Sequence, residues 1–274
     1  MDLTGKVAFQ GERGAYSEEA SLQFFGLKVD LKPCKTLPEV FRCVEKDEAS
    51  SGVVPVENSI EGSVNQTYDL LLDTSLKVCG EIDLRIVHCL IANQETNIKG
   101  VKRVYSHPQA LAQCRGFLDQ YGFELIPFYD TAGSVRFVKE NRLLDAAAVA
   151  GSRAAEIYGM KVLARGIEDV PDNFTRFFVL SKHEAQATGN DKTSIIFSAK
   201  HVPGVLHSAL EEFAVRGINL TKIESRPTRV KVWEYNFYLD FEGHQNEEKC
   251  REALKGLRMK TSFIKVLGSY PKSK

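Results

Sequence analysis

Residues 181–191, Ser-Lys-His-Glu-Ala-Gln-Ala-Thr-Gly-Asn-Asp, carry no large apolar side chain and divide the chain into two stretches of different rhythm. A segment of that composition cannot bury enough surface to fold into a core, so it reads as a connection between domains. Before it, apolar runs bounded by glycine and hydroxyl residues alternate with helical patterns. After it, the order is strand, helix, strand, strand, helix, strand. The chain length of 274 residues agrees with about two domains at roughly 150 residues each.

In the first stretch, residues 6–10, 52–56, 101–105, 123–127, 146–150 and 174–180 are predicted strands, and 77–92 an extended or bent strand. Helices are expected from a Ser17 cap to residue 25, over 37–46, 62–72, 108–121 and 131–141, and from a Ser152 cap to residue 158. Thr36-Leu37-Pro38-Glu39 has the form of a capping box with proline in the first turn. Such alternation predicts parallel sheets with helices on both faces, whose ligands collect beyond the carboxyl ends of the strands. In the second stretch, strands at 192–199, 218–224, 232–241 and 262–270 with helices at 204–215 and 246–257 give the split βαβ order. That order places both helices on one face of an antiparallel sheet and leaves an edge open to a second copy.

Lysine plus arginine (36) equals aspartate plus glutamate (36), so no overall field draws in nucleic acid or an acidic membrane surface. An anionic ligand would have to be met by local groups. No segment is long and apolar enough to span a bilayer. Met1-Asp2-Leu3-Thr4-Gly5-Lys6 runs directly into Val7-Ala8-Phe9 without the features of a leader, which gives a cytoplasmic expectation. Cysteines 34, 43, 79, 89, 114 and 250 lack metal-ligand spacing and read as reduced, mostly buried thiols, and the six histidines are equally scattered, so no zinc site is expected.

Four strand–hydroxyl–helix junctions recur: Glu57-Asn58-Ser59, Ser106-His107-Pro108-Gln109 with Gln113 one turn on, Asp130-Thr131-Ala132-Gly133-Ser134, and Gly151-Ser152-Arg153. Any one of them is an ordinary helix start. Four along one α/β segment suggest helix N-termini converging on an anion. Asn173-Phe174-Thr175-Arg176-Phe177 is sharper, since it sets a hydroxyl and a cation among phenylalanines. Strand alternation puts Phe174 and Arg176 on one face and Thr175 and Phe177 on the other, so a bulge or strand end is needed for both polar groups to meet one ligand. In the last domain, Pro203-Gly204-Val205-Leu206 opens a helix, and Asn219-Leu220-Thr221 leads to Ile223-Glu224-Ser225-Arg226-Pro227. Packing alone does not account for Glu, Ser and Arg before a proline.

Taken in order, VAFQGERGAYSEEA (7–20), VPVENSIEGSV (54–64), SHPQALAQC (106–114), YDTAGSV (129–135), AAVAGS (147–152), NFTRFFVL (173–180) and GINLTKIESRP (217–227) resemble prephenate dehydratase over essentially the whole chain. The resemblance implies an α/β catalytic region (1–182), two-lobed like periplasmic binding proteins and divided near 100 and 175. It also implies a βαββαβ, ferredoxin-like ACT regulatory domain (191–274), and assembly into dimers or tetramers through the ACT domains. The family reaction removes carbon dioxide and water from prephenate and gives phenylpyruvate in phenylalanine biosynthesis, without cofactor or metal.

By position, the resemblance makes Thr175 the essential hydroxyl, and Asn58, Ser106 and Gln113 polar groups at the substrate. Arg176 becomes the carboxylate anchor, with Ser59, Thr131, Phe177 and Ser152 as further substrate contacts. The effector L-phenylalanine would use Gly204, Val205, Leu206, Asn219, Leu220, Glu224, Ser225, Arg226 and Pro227. His207 stands where family members often carry an aromatic residue. Arogenate dehydratase, acting on the amino analogue, is the nearest alternative. A solute receptor or a sensor without chemistry fits less well, given Thr175, Arg176 and Asn58 and the lack of a leader. A preceding chorismate mutase domain is disfavoured by the strand that begins at residue 6.

Overall fold

The computed structural model describes residues 5–199, 202–228 and 234–273. Among these, residues 5–67 and 82–177 form one compact unit, and 68–81 and 178–273 form another. The elements begin with β1 (Val7–Gln10), α1 (Tyr16–Phe25), β2 (Leu31–Cys34), α2 (Leu37–Glu45), β3 (Ser51–Asn58), β4 (Gly62–Ser63), α3 (Asn65–Asp73), β5 (Lys77–Arg85) and β6 (Cys89–Ala92). They continue with β7 (Arg103–Ser106), α4 (Pro108–Gln113), α5 (Arg115–Asp119), β8 (Glu124–Pro127), α6 (Thr131–Glu140), β9 (Ala146–Ala150), α7 (Ser152–Tyr158), β10 (Lys161–Arg165) and β11 (Phe174–Ser181). The chain closes with β12 (Asp191–Ser198), α8 (Val205–Ala214), β13 (Leu220–Pro227), β14 (Tyr235–Glu242), α9 (Glu248–Lys260) and β15 (Phe263–Pro271).

The first sheet has the order β2-β1-β3-β11-β5, with β4 on β3, and the second the order β10-β6-β9-β7-β8. The chain leaves the first sheet after Arg85, enters the second at Cys89, leaves it after Arg165 and returns at Phe174. These sheets are not purely parallel as expected. β1, β2 and β3 run parallel, as do β7, β8 and β9, but β6 is antiparallel to both β9 and β10. The two crossings of the chain reverse its direction at β6, which alternation of strands and helices does not reveal.

β9 shows why its sequence is so small. All five residues are fully buried. Ala146, Ala148 and Ala150 pack into the cluster that includes Ala132, Val135 and Val138 of α6, while Ala147 and Val149 face Ala110, Leu111 and Leu118 of α4 and α5. A strand covered closely on both faces has room only for small side chains.

The start of α2 follows the expected cap, with Thr36 Oγ1 accepting from the Glu39 N–H at 3.4 Å. The Glu39 carboxylate reaches the Lys35 N–H rather than that of Thr36. Two expected caps fail. Ala15, not Ser17, precedes α1, and Gly151, not Ser152, precedes α7. The helix expected from residue 62 starts at Asn65, because Gly62 and Ser63 pair back on Glu57 and Asn58. The helix expected over 108–121 breaks at Cys114 into α4 and α5, and the run 77–92 is two strands on different sheets. β2 and β10 are strands beyond those expected.

The C-terminal sheet is antiparallel, with order β13-β14-β12-β15. Ile195, Phe197, Leu239 and Phe241 on one face pack against Ala209 and Phe213 of α8 and Cys250, Ala253 and Leu257 of α9. This is the split βαβ fold expected from the element order. The start of the strand predicted at 232–241 lies outside the described residues; the strand is described from Tyr235. In the same unit Tyr238 Oη donates to the Tyr68 carbonyl, and Lys265 Nζ donates to the carbonyls of Leu71, Leu72 and Thr74, neutralising the C-terminal end of α3. All six cysteines are free and buried, and no described helix is long and apolar enough to cross a membrane.

Candidate active site

A cavity of about 240 Å³ opens in the first unit beyond the carboxyl ends of the strands. Gln10 reaches it from the end of β1, Asn58 from the end of β3, and His107 and Tyr129–Thr131 from the segments after β7 and β8. Thr175 and Phe177 of β11 also line it, as do Tyr16, His88 and Gln113. No lysine or arginine is among its described lining residues.

Asn58 organises the polar wall. Its Oδ1 accepts from the backbone N–H groups of Ile60 and Glu61 at 3.1 and 3.0 Å, which fixes its amide orientation. Its Nδ2 therefore faces Asn173 Oδ1 at 2.7 Å, Thr175 Oγ1 at 3.0 Å and the Phe174 carbonyl at 3.1 Å. Asn173, fully buried, turns its own Nδ2 to Gln113 Oε1 at 3.1 Å. His88 Nε2 stands at 3.1 Å from the same Gln113 oxygen, and His88 Nδ1 at 2.8 Å from the Tyr16 hydroxyl. Gln113 Nε2 is buried and has no hydrogen-bond partner.

Within this network, two residues keep donors for a ligand. Thr175 Oγ1 accepts from Asn58, so its proton is uncommitted, and Gln113 keeps both amide protons. Among the described residues no side-chain base accepts the Thr175 proton. Burial lowers the pKa of His88 and pushes the Tyr16 phenol well above its usual range, so the imidazole stays neutral and the phenol protonated. Burial also raises Asp130, whose Oδ1 caps α6 by accepting from the Gly133 N–H at 2.7 Å.

Of the residues singled out from sequence, the cavity brings together Asn58, Gln113, Thr131, Thr175 and Phe177. Others are not among its described lining residues. The Ser106 hydroxyl is fully buried and donates to the Val149 carbonyl at 2.6 Å. Ser59 Oγ bridges the Phe174 N–H and the Asp172 carbonyl, and Ser152 Oγ accepts from Arg165. Arg176 alternates with Thr175 in β11 and lies 3.9 Å from Glu57. Three of the four junctions contribute lining residues, and the one at Gly151 does not. His88 and Tyr16 were not legible as site residues. The one available signal was the interruption of the apolar stretch 86–92 at His88.

Close contacts join the two sheets of this unit. Tyr129 Oη and Arg136 Nη1 each donate to Glu12 at 2.9 Å. The buried Glu18 carboxylate accepts from the Gly14 N–H, from Arg13 Nε and from Arg153 Nη2. Gly14 has φ +90°, and a Cβ there would lie 2.7 Å from Ala154 Cα. Only glycine fits that approach.

In the C-terminal unit, Gly204 precedes α8 in a left-handed conformation, followed by Val205 and Leu206. Asn219 is exposed immediately before β13. Along β13, exposure alternates: Ser225 and Pro227 are exposed, whereas Leu220, Glu224 and Arg226 are half-buried. Glu224 pairs with Lys222 at 3.3 Å, and Arg226 with Asp69 of α3 at 3.0 Å.

Residues 7–185 match the family model for prephenate dehydratase, and 193–258 that for the ACT domain. The chain belongs to the prephenate dehydratase family. It is 48% identical over 271 residues to a bifunctional chorismate mutase/prephenate dehydratase of Aquifex aeolicus, covering 98% of this chain and 74% of that protein. It is 44% identical to arogenate dehydratase/prephenate dehydratase 2 of Arabidopsis thaliana, covering 97% and 72%. A crystal structure of prephenate dehydratase from Arthrobacter aurescens in complex with L-Phe matches with TM-score 0.90 and 32% identity, covering 98% and 90%. A structure described as GqqA, a quorum-quenching acylase, matches equally well in fold, with TM-score 0.90, 32% identity and 98% of both chains covered. Membership in the prephenate dehydratase family agrees with the α/β catalytic region and the C-terminal ACT fold described above.

Proposed function

We propose that this chain converts prephenate to phenylpyruvate, carbon dioxide and water. The observation that carries this reading is the uncommitted Thr175 proton at the wall of a cavity with no lysine or arginine among its described lining residues. As the bond to the ring carboxylate breaks, its electron pair enters the ring and the ring hydroxyl departs with the electrons of its own bond. Aromatisation supplies the driving force, so the protein has to hold and orient. Thr175 donates a hydrogen bond to the leaving oxygen, and the departing hydroxide takes up one proton from the solvent to leave as water, which balances the charge of the carboxylate lost as carbon dioxide. Gln113 donates to substrate, Asn58 fixes Thr175, and the poorly solvated surroundings of the ring carboxylate favour its loss as neutral carbon dioxide. The N-termini of α1 and α6, through Tyr16 and Thr131, supply positive potential for the second carboxylate. Ser59 holds the backbone of Asp172 and Phe174 beside Thr175, and Ser106 holds the Val149 carbonyl. A threonine whose oxygen accepts and whose proton meets no base fits a donor better than the nucleophile that acyl hydrolysis needs.

We assign residues 1–182 to this chemistry and 191–274 to regulation. In that regulatory part, L-phenylalanine binds at Gly204–Leu206, Asn219, Leu220 and the Glu224–Pro227 stretch of a homo-oligomer. The exposed edge of β13 supports pairing between copies. Arogenate is the second reading, favoured by the Asp130 carboxylate, which lines the cavity and would meet an ammonium group. Turnover of prephenate and arogenate by the purified protein, measured side by side, tests both. Faster loss of prephenate supports the first reading, faster loss of arogenate the second, and loss of neither removes both.

A further inference from the structure

The oxygen of Gln113 accepts from two side chains that come from the two segments where the chain crosses between sheets. His88 lies in the crossing between β5 and β6, and Asn173 in the crossing between β10 and β11. We propose that His88 is a positioning residue: its Nε2–H, donating to Gln113 Oε1, turns the Gln113 amide so that its NH2 group faces the ligand. This rests on the dehydration reading for its kinetic consequence, but not for its geometry.

Each proton in the chain of contacts is assigned by the one before it. The Ile60 and Glu61 N–H groups make the Asn58 atom facing them an oxygen. Asn58 Nδ2 then meets Asn173 Oδ1, and Asn173 Nδ2 meets Gln113 Oε1. A carboxamide oxygen only accepts, so the His88 nitrogen at 3.1 Å must carry hydrogen. With Nε2 carrying the hydrogen and the imidazole neutral, Nδ1 offers a lone pair, and the Tyr16 hydroxyl, 2.8 Å from Nδ1 and 3.1 Å from the Val87 carbonyl, shares its one proton between these two acceptors. The Tyr16 ring stands edge-on to His88, with 5.6 Å between centroids, and the His88 backbone N–H is held by Glu168 Oε2 at 2.9 Å. A flipped Gln113 would set its NH2 against two donors and turn its oxygen to the cavity. His88 and Asn173 therefore decide together which end of Gln113 the ligand meets, although the His88 Nε2–H is spent on Gln113 and its Nδ1 faces Tyr16.

The test combines variants with a direct reading of the tautomer. His88→Leu lowers kcat/KM for prephenate by about 10–100-fold, the usual cost of removing a group that orients a contacting residue. His88→Gln keeps an N–H within reach of the same oxygen and recovers most of that loss. In a Gln113→Leu background, His88→Leu costs less than about 3-fold, because nothing is left to orient. Losses that multiply in the double variant, or a His88→Gln protein as impaired as His88→Leu, overturn the proposal. Nitrogen-15 NMR of the wild-type imidazole is independent of folding defects and of turnover. The proposal requires a neutral ring protonated at Nε2 near pH 7, and a ring protonated at Nδ1 or at both nitrogens overturns it. Absence of prephenate turnover with the Nε2–H tautomer present would remove the dehydratase reading and leave the positioning geometry standing.

Discussion

Asn58 Nδ2 lies 3.0 Å from Thr175 Oγ1, and the direction of that bond decides what the threonine can do. Because Asn58 donates, one lone pair of the threonine oxygen is engaged and its proton is available. The two residues are 117 positions apart, so the relationship exists only in the folded chain.

Asn58→Ala removes the acceptor of two backbone N–H groups as well as the donor to Thr175. Ile60 and Glu61 are exposed and can turn to water, so each lost bond costs about 0.5–1.5 kcal/mol. The expected result is a lower urea midpoint together with a fall in kcat. A variant of unchanged stability and turnover contradicts the network.

Acid should destabilise the fold through His88. The native state binds a proton on this ring at lower pH than the unfolded chain, whose imidazole titrates near about 6.5. Stability is therefore level above that value and declines as pH falls below it, until the native ring also titrates. His88→Gln should make this decline shallower in denaturant titrations from pH 7 to 5. Parallel slopes for the two proteins would count against a neutral buried ring.

Gly14→Ala introduces a Cβ 2.7 Å from Ala154 Cα at a backbone angle of φ +90°. Overpacking of this kind costs about 1–3 kcal/mol, added to the strain of a left-handed alanine. A clear drop in melting temperature is expected, and a melting temperature equal to wild type refutes the close approach.

The Arg226–Asp69 pair ties the proposed effector stretch to α3, which follows the Asn58 segment in sequence. Asp69→Asn should leave turnover without phenylalanine close to wild type and raise the phenylalanine concentration needed for half of its effect. An unaltered phenylalanine titration would show that this pair plays no part in the response.

What the sequence disclosed depended on range. The Thr36 cap and the crowded β9 are local or periodic, and both were readable. The hydroxyls of Ser17 and Ser152 looked like caps, but Ala15 and Gly151 take those places because the chain enters both helices one or two residues earlier. Ser106 could be named from its motif, yet nothing local says that its proton goes to Val149 on a neighbouring strand. His88 and Tyr16 meet across 72 positions, and their pairing depends on how the chain crosses between the sheets. Strand direction at β6 was hidden for the same reason.

Thr175→Val keeps the shape of the side chain and deletes the hydrogen-bond donor that the proposed reaction uses. The rate of phenylpyruvate formation from prephenate, with melting temperature measured alongside, should fall by about 100–1,000-fold while Thr175→Ser retains much of the activity. A valine variant that turns over prephenate within a few-fold of wild type would contradict the role of this hydroxyl as donor to the leaving oxygen.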